Sequence, residues 1–138
     1  MRAPASRRGR SPIAGPDCVF GETTPATRYL DRLVAEEASF YLTSIVIQEV
    51  LQGARDEAEW RKLRAYLVSQ LRVDPRQSFR THLEAARIYF DRRRRGLTVR
   101  STIDCLIAQI ALEHDLAVLQ ADRGFDAIRE VRRLRVLP

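Results

Sequence analysis

The chain has 138 residues, 45% of them hydrophobic and 30% charged, a balance that suits one folded domain and excludes a disordered chain. Twenty-four basic residues against 18 acidic ones leave a formal charge of +6, which points to an anionic partner, RNA or an acidic protein. Lys62 is the one lysine, so the positive charge is nearly all arginine, whose planar fork suits phosphate oxygens; a GC-rich genome would leave the same bias.

The opening MRAPASRRGRSPIAGP holds no acid and reads as a disordered basic tail to about residue 12. Pro4, Pro12 and Pro16 work against the amphipathic helix of an organellar transit segment. Gly15 and Pro16 interrupt the apolar stretch from Ile13 to Phe20, so any strand there is short, with Cys18 to Phe20 the best stretch. Thr24 and Pro25 begin a helix, cap then first-turn proline, with Tyr29, Leu30, Leu33 and Val34 as its stripe to about Glu36. Ser39 to Thr43 is a short β run feeding a helix from about Ser44 to Gln52, which Gly53 ends. Asp56 caps a further helix carrying Trp60, Leu63 and Leu67, and Leu71 to Asp74 makes a short strand stopped by Pro75.

A long helix from about Gln77 to Arg94 carries Phe79, Leu83, Ala86 and Phe90 at i, i+4, i+7 and i+11. Trp60, Tyr66 and Phe90 read as core or protein-interface residues rather than base-stacking ones. After Gly96 a helix opens at Ser101 and runs to about His114, with Ile103, Ile107 and Ile110 on the face that His114 ends. Leu116 to Gln120 is the clearest strand, Phe125 to Glu130 a helical turn, and Arg135 to Leu137 a last short strand. Short β runs alternating with helices predict an α/β domain with a short, mainly parallel sheet. The two cysteines, Cys18 and Cys105, form no spaced framework and fit a reduced, cytoplasmic protein without a zinc site. No apolar run approaches the roughly 18 residues of a membrane span.

Ligands of parallel sheets bind beyond the carboxyl ends of the strands. Three acids fall there: Glu49 soon after the second β run, Asp104 at a helix entrance, and Asp122 just past LAVLQ. Gathered carboxylates repel unless a cation joins them, and hard ions such as Mg²⁺ and Mn²⁺ take oxygen ligands. Each acid also has a plain reading. Asp104 with Ser101 resembles a capping box, Glu49 suits the wet face of an amphipathic helix, and Asp122 suits a turn. Asp126 reads as a simple cap. Arg92, Arg93, Arg94 and Arg95 are either a solvated helix end or a phosphate-binding cluster, and Arg100 and Arg123 flank the acids as phosphate contacts. His82 and His114 lack ligand spacing and read as structural or surface residues.

The segments IVIQEVLQGARD and VRSTIDCLIAQIALEHDLAVLQADRGFDAI, in that order, resemble the PIN-domain ribonucleases of the VapC toxin type. The resemblance runs from about Pro25 to Val136 and implies a three-layer α/β/α fold over residues 24–138, with 1–23 as an atypical tail. It implies Glu49, Asp104 and Asp122 as the acids of a Mg²⁺ or Mn²⁺ site, RNA as substrate, a cognate antitoxin as partner, and a homodimer. Two departures stand out. The family opens on a central strand ending in an aspartate; counting back from the Thr24 helix puts Ser11 near that place and Asp17 several residues late, so the first strand reads as degraded or missing. Gly124 also replaces the second aspartate of the family's D-R-D-F run. A decayed toxin or a misread start codon accounts for such an opening. A chain short of its first acid also suits a protein that binds an antitoxin or RNA without cutting.

Overall fold

A computed structural model of the chain describes residues 11–15, 31–32, 34–36, 39–97, 101–120 and 123–137, the last stretch opening with the backbone of Arg123. Five strands of two residues each form one parallel sheet: β1 (Ile13–Ala14), β2 (Tyr41–Leu42), β3 (Leu71–Arg72), β4 (Val118–Leu119) and β5 (Val136–Leu137), in the order β3-β2-β1-β4-β5. Between them lie α1 (Ser44–Leu51), α2 (Glu57–Val68), α3 (Ser78–Arg94), α4 (Thr102–Glu113), a 3₁₀ turn at Arg123–Phe125 and α5 (Asp126–Arg129). Right-handed crossovers fix the layers. The chain steps from β1 out to β2 and β3, with α1 and α2 on one face; it then returns past β1 to β4 and β5, which sets α3, α4 and α5 on the opposite face.

The first strand is present, and it is central. Ile13 pairs with Tyr41 on one side and Val118 on the other, and both Ile13 and Ala14 are fully buried. The sequence expectation of a degraded or missing strand, with a boundary at residue 24, is corrected on this point: β1 lies inside the stretch read as tail and is as short as its four neighbours. The alternative stretch, Cys18 to Phe20, lies outside the described residues, as does most of the helix expected from Thr24; Asp31, Arg32, Val34 and Ala35 are helical.

Two helices start at caps the sequence offered, Asp56 and Ser101; Thr43 caps a third, and α5 starts at Asp126 with no side-chain cap, against the reading of Asp126 as one. Thr43 accepts from the Val46 N–H (3.2 Å), Asp56 from Glu59 (2.8 Å) and Ser101 from Asp104 (3.4 Å). Gly96 ends α3 with φ +73°, while its N–H reaches the Arg93 carbonyl and Leu97 reaches that of Arg92, a Schellman closure. The core gathers Ile13, Leu42, Val46, Ile88, Ile107, Ile110, Val118, Leu119, Phe125 and Ile128 between the layers. Among the described residues no helix is long and apolar enough to cross a membrane.

Candidate functional site

Strand order locates the crevice. The chain leaves β1 toward β2 and leaves β4 toward β5, so the two diverging connections part between β1 and β4. In doubly wound sheets a ligand sits at that switch point, outside the carboxyl ends. The residues at the mouth are Gly15, one past β1, and Gln120, one past β4. Gly15 donates to the Leu119 carbonyl (2.9 Å) and Gln120 to that of Leu137 (3.1 Å), so both ladders continue one residue beyond the strands.

Gly15 and Gln120 interlock. A Cβ on Gly15 would overlap the Gln120 side-chain oxygen and lie 2.9 Å from its Cδ, so the glutamine amide fills the space a side chain at 15 would take. Gln120 is 7% exposed. Neither residue was singled out from the sequence; the available signal was a polar residue closing the apolar run LAVLQ. The placement also corrects the count back from the Thr24 helix. Ser11 precedes β1 and stands at its amino end, whereas an acid at the carboxyl end of this strand would stand at or just past Gly15. Asp17 lies outside the described residues.

Two of the three proposed acids are described. Glu49 is half-buried on α1, which leaves the carboxyl end of β2, the strand beside β1. Asp104 is half-buried in the first turn of α4. A tight turn joins α4 to β4, the Leu116 N–H reaching the Ala111 carbonyl at 2.9 Å, so the helix runs back along the sheet and its start faces the carboxyl edge. Asp122 lies outside the described residues, and so does Arg100. The capping reading of Asp104 holds in one direction at least, since its N–H donates to Ser101 Oγ. Among the described residues no three His, Cys, Asp or Glu side chains gather closely enough to hold a metal ion. The donors on the described helices are carboxylates, which in kind suit a hard divalent ion rather than zinc or copper.

The basic end of α3 lies beside Asp104. The two helices run antiparallel: Thr81 near the start of α3 bonds the Glu113 carboxylate at the end of α4, and Arg92 near the end of α3 donates to Cys105 Sγ (3.6 Å) in the first turn of α4. Burial pushes the Cys105 thiol above its usual pKa, Arg92 pulls it down, and the Asp104 carboxylate pushes it up again. Arg92 is 1% exposed, so it is withdrawn from the phosphate-binding set: its guanidinium packs into the α3–α4 seam. Arg93, Arg94 and Arg95 are exposed. Arg95 donates to the Glu130 carbonyl (2.6 Å), and Arg94 and Arg95 line a polar hollow with Asp91, Val131 and Arg132. Arg123 opens the 3₁₀ turn, and Gly124 behind it is buried. His114 is structural: its Nε2 meets the Asp74 carbonyl at 2.8 Å.

Comparison with known proteins agrees with this geometry. A family model described as PIN domain matches residues 19–131. The chain is 36% identical over 107 residues to ribonuclease VapC11 of Mycobacterium tuberculosis, covering 75% of this chain and 78% of that protein. The VapC ribonuclease Mb1587 of Mycobacterium bovis matches to the same extent, and ribonuclease VapC51 of M. tuberculosis is 35% identical over 108 residues, 78% of this chain and 77% of that one. Among solved structures, the VapBC2 complex of Rickettsia felis bound to a promoter DNA fragment aligns with a TM-score of 0.67 at 17% identity, over 91% of this chain and 96% of that one. FitAcB of Neisseria gonorrhoeae aligns at 0.65 and 19% identity, over 91% and 96%. At such identities these two likenesses speak for the fold.

Proposed function

The chain belongs to the PIN-domain family, in its VapC type, and from that membership we propose that it is a cytoplasmic ribonuclease, the toxin of a type II toxin–antitoxin pair. One observation carries the proposal in a chain so related: helices bearing Glu49 and Asp104 open toward the carboxyl edge where β1 and β4 diverge. In this reading Glu49, Asp104 and Asp122 would hold Mg²⁺ or Mn²⁺. When bound, the ion supplies positive charge against the scissile phosphate and makes water a stronger acid. The chain's own share is placement. Ser101 fixes the first turn of α4, and with it the Asp104 backbone, while the α3–α4 seam sets the basic helix end alongside. Arg93, Arg94, Arg95, Arg100 and Arg123 would draw in the RNA backbone. An antitoxin would bind the chain and close the site, and a homodimer would be the working form.

The test is cleavage of single-stranded RNA by the purified chain. Cutting should require Mg²⁺ or Mn²⁺, stop with EDTA, and fall in Asp104→Asn and Glu49→Gln by at least the roughly 10–100-fold that loss of a metal site's supporting residues costs. Cutting that ignores both the metal and Asp104→Asn would end the nuclease reading.

A second reading has its own support. The carboxyl end of β1 carries Gly15, with the Gln120 amide in its side-chain space, where the resemblance calls for an aspartate. A chain so built would bind an antitoxin or RNA and cut nothing. The same assay separates the two: antitoxin binding without metal-dependent cleavage at any enzyme concentration selects the binder.

A further inference from the structure

Among the described residues the buried polar side chains are Thr43, Thr81, Arg92 and Gln120. Thr43 caps α1, while Thr81 and Arg92 bond Glu113 and Cys105 across the α3–α4 seam. Gln120 stands elsewhere. It directly follows β4, at the carboxyl edge where β1 and β4 diverge. A leucine there would continue the apolar run from Leu116 to Leu119 and bring no amide to satisfy in a buried place.

The sheet register carries that amide to one point. Ala14 pairs with Leu119, so Gly15 and Gln120 are the next partners outward, and the Gly15 N–H on the Leu119 carbonyl (2.9 Å) holds them level. The Gln120 side-chain oxygen overlaps the place of a Cβ on Gly15, with Cδ 2.9 Å from it. An aspartate at position 15 would set its carboxylate just beyond that Cβ. The glutamine therefore brings an oxygen, from the neighbouring strand, into the volume where a side chain at the end of β1 would hold one. A carboxamide oxygen is a hard donor like a carboxylate, without the charge. The helices bearing Glu49 and Asp104 open toward this edge, so a neutral oxygen here also spares those acids further repulsion in the metal-free chain.

We propose that the Gln120 amide is a neutral oxygen donor to a divalent cation at this crevice, standing in from β4 for the acid that the carboxyl end of β1 lacks. The proposal rests on the nuclease reading for the presence of an ion; its test measures metal binding and involves no RNA cleavage. Fewer negative ligands hold a cation less tightly, so the chain's affinity is set below that of a site with a fourth carboxylate.

The experiment titrates the full chain with Mn²⁺, without RNA, and follows the paramagnetic resonance of the free ion, with melting temperatures alongside. Gln120→Met keeps the length and nearly the volume but exchanges the oxygen for a soft thioether, and should weaken Mn²⁺ binding by about tenfold or more. Gln120→Glu adds a charge at the same oxygen position. It should tighten Mn²⁺ by about tenfold, lower the metal-free melting temperature, and regain it with Mn²⁺. Gly15→Asp/Gln120→Ala hands the oxygen back to β1 and should bind at least as tightly as the unaltered chain. The proposal is overturned if Gln120→Met binds as the unaltered chain does, or if Gln120→Glu binds more weakly. Binding that Asp104→Asn abolishes would, beside such a result, leave the nuclease reading standing. The proposal is equally overturned if the unaltered chain takes up no Mn²⁺ by about 1 mM while Gly15→Asp/Gln120→Ala does, because the amide then blocks the site instead of completing it. No binding by any of these forms would end both this proposal and the metal-dependent nuclease reading.

Discussion

Helices α3 and α4 carry the same apolar spacing and put it to opposite uses. In α4 the row begun by Ile103 turns inward: Ile107 and Ile110 are buried, and His114 at its end ties back to Asp74. In α3 the matching row of Phe79, Leu83, Ala86 and Phe90 turns outward, and the helix seats itself on α4 through Thr81, Ala85, Ile88 and Arg92. Periodicity therefore marks a face that something covers; what covers it, the rest of the same domain or another molecule, is decided by which side has the better neighbour. For α3 that neighbour is α4, whose Glu113 accepts from Thr81 and whose Cys105 accepts from Arg92. A row with an apolar middle and a partnered polar residue at each end won the inside.

The largest effects should come from the buried sides of the two helices. Ile107→Ala removes a fully buried side chain from α4 and should cost about 2–5 kcal/mol in urea unfolding. Arg92→Ala should cost about 2–3 kcal/mol, because it empties a buried volume in α3 and strips the Cys105 thiol of its donor. Arg92→Met separates the causes: it keeps most of the volume and removes the charge, so the cost should fall to within about 1.5 kcal/mol if packing dominates. A Met variant as damaged as the Ala variant would mean that charge, not volume, holds α3 in this orientation.

Much of this was legible beforehand. Caps at Asp56 and Ser101, the stop at Gly96 and the run before Gln120 carry their own local chemistry, and the elements fall where that chemistry puts them. The first strand was hidden by Pro12 and Pro16, which count against a central strand because proline lacks an N–H. Here Pro12 costs nothing: it lends only its carbonyl to Tyr41 (2.9 Å), while the donors the ladder needs are Ile13 and Gly15, at 2.8 and 2.9 Å. A strand of two residues fits between the two prolines. The resemblance singled out Glu49 and Asp104, whereas nothing in the sequence singled out Gln120, since its partner Gly15 lies more than a hundred positions earlier and only the sheet register brings them together. The orientation of α3 was equally out of reach, because spacing alone does not say which of two rows is turned to the core.

A smaller effect should appear with pH at the far end of α3. The hydrogen bond from Arg132, helped by the charge of Arg87 and opposed by partial burial, holds the Asp91 carboxyl below its ordinary pKa. A depressed folded-state pKa means stability that is fully present above the unfolded value near pH 4 and lost as pH falls through the folded value. Asp91→Asn should therefore flatten the fall in melting temperature below about pH 4, while at pH 7 it forfeits only what two partly exposed ion pairs contribute. An unchanged acid limb would show that Arg132 does not fasten the C-terminal segment to α3.

The smallest effect sharpens the comparison most. Leu83 on α3 and Ile107 on α4 are both mid-helix aliphatics at the same point of the same spacing, and Leu83→Ala should shift stability by less than about 0.5 kcal/mol. Exposure is the reason: Leu83 gains little from folding, so its truncation leaves no cavity, and alanine's higher helix propensity offsets part of what is lost. If Leu83→Ala instead costs as much as Ile107→Ala in the isolated chain at high dilution, the outward row is already covered within the domain. The contrast between the two helices would then fail, and the apolar row of α3 would be core, as the equivalent row of α4 is.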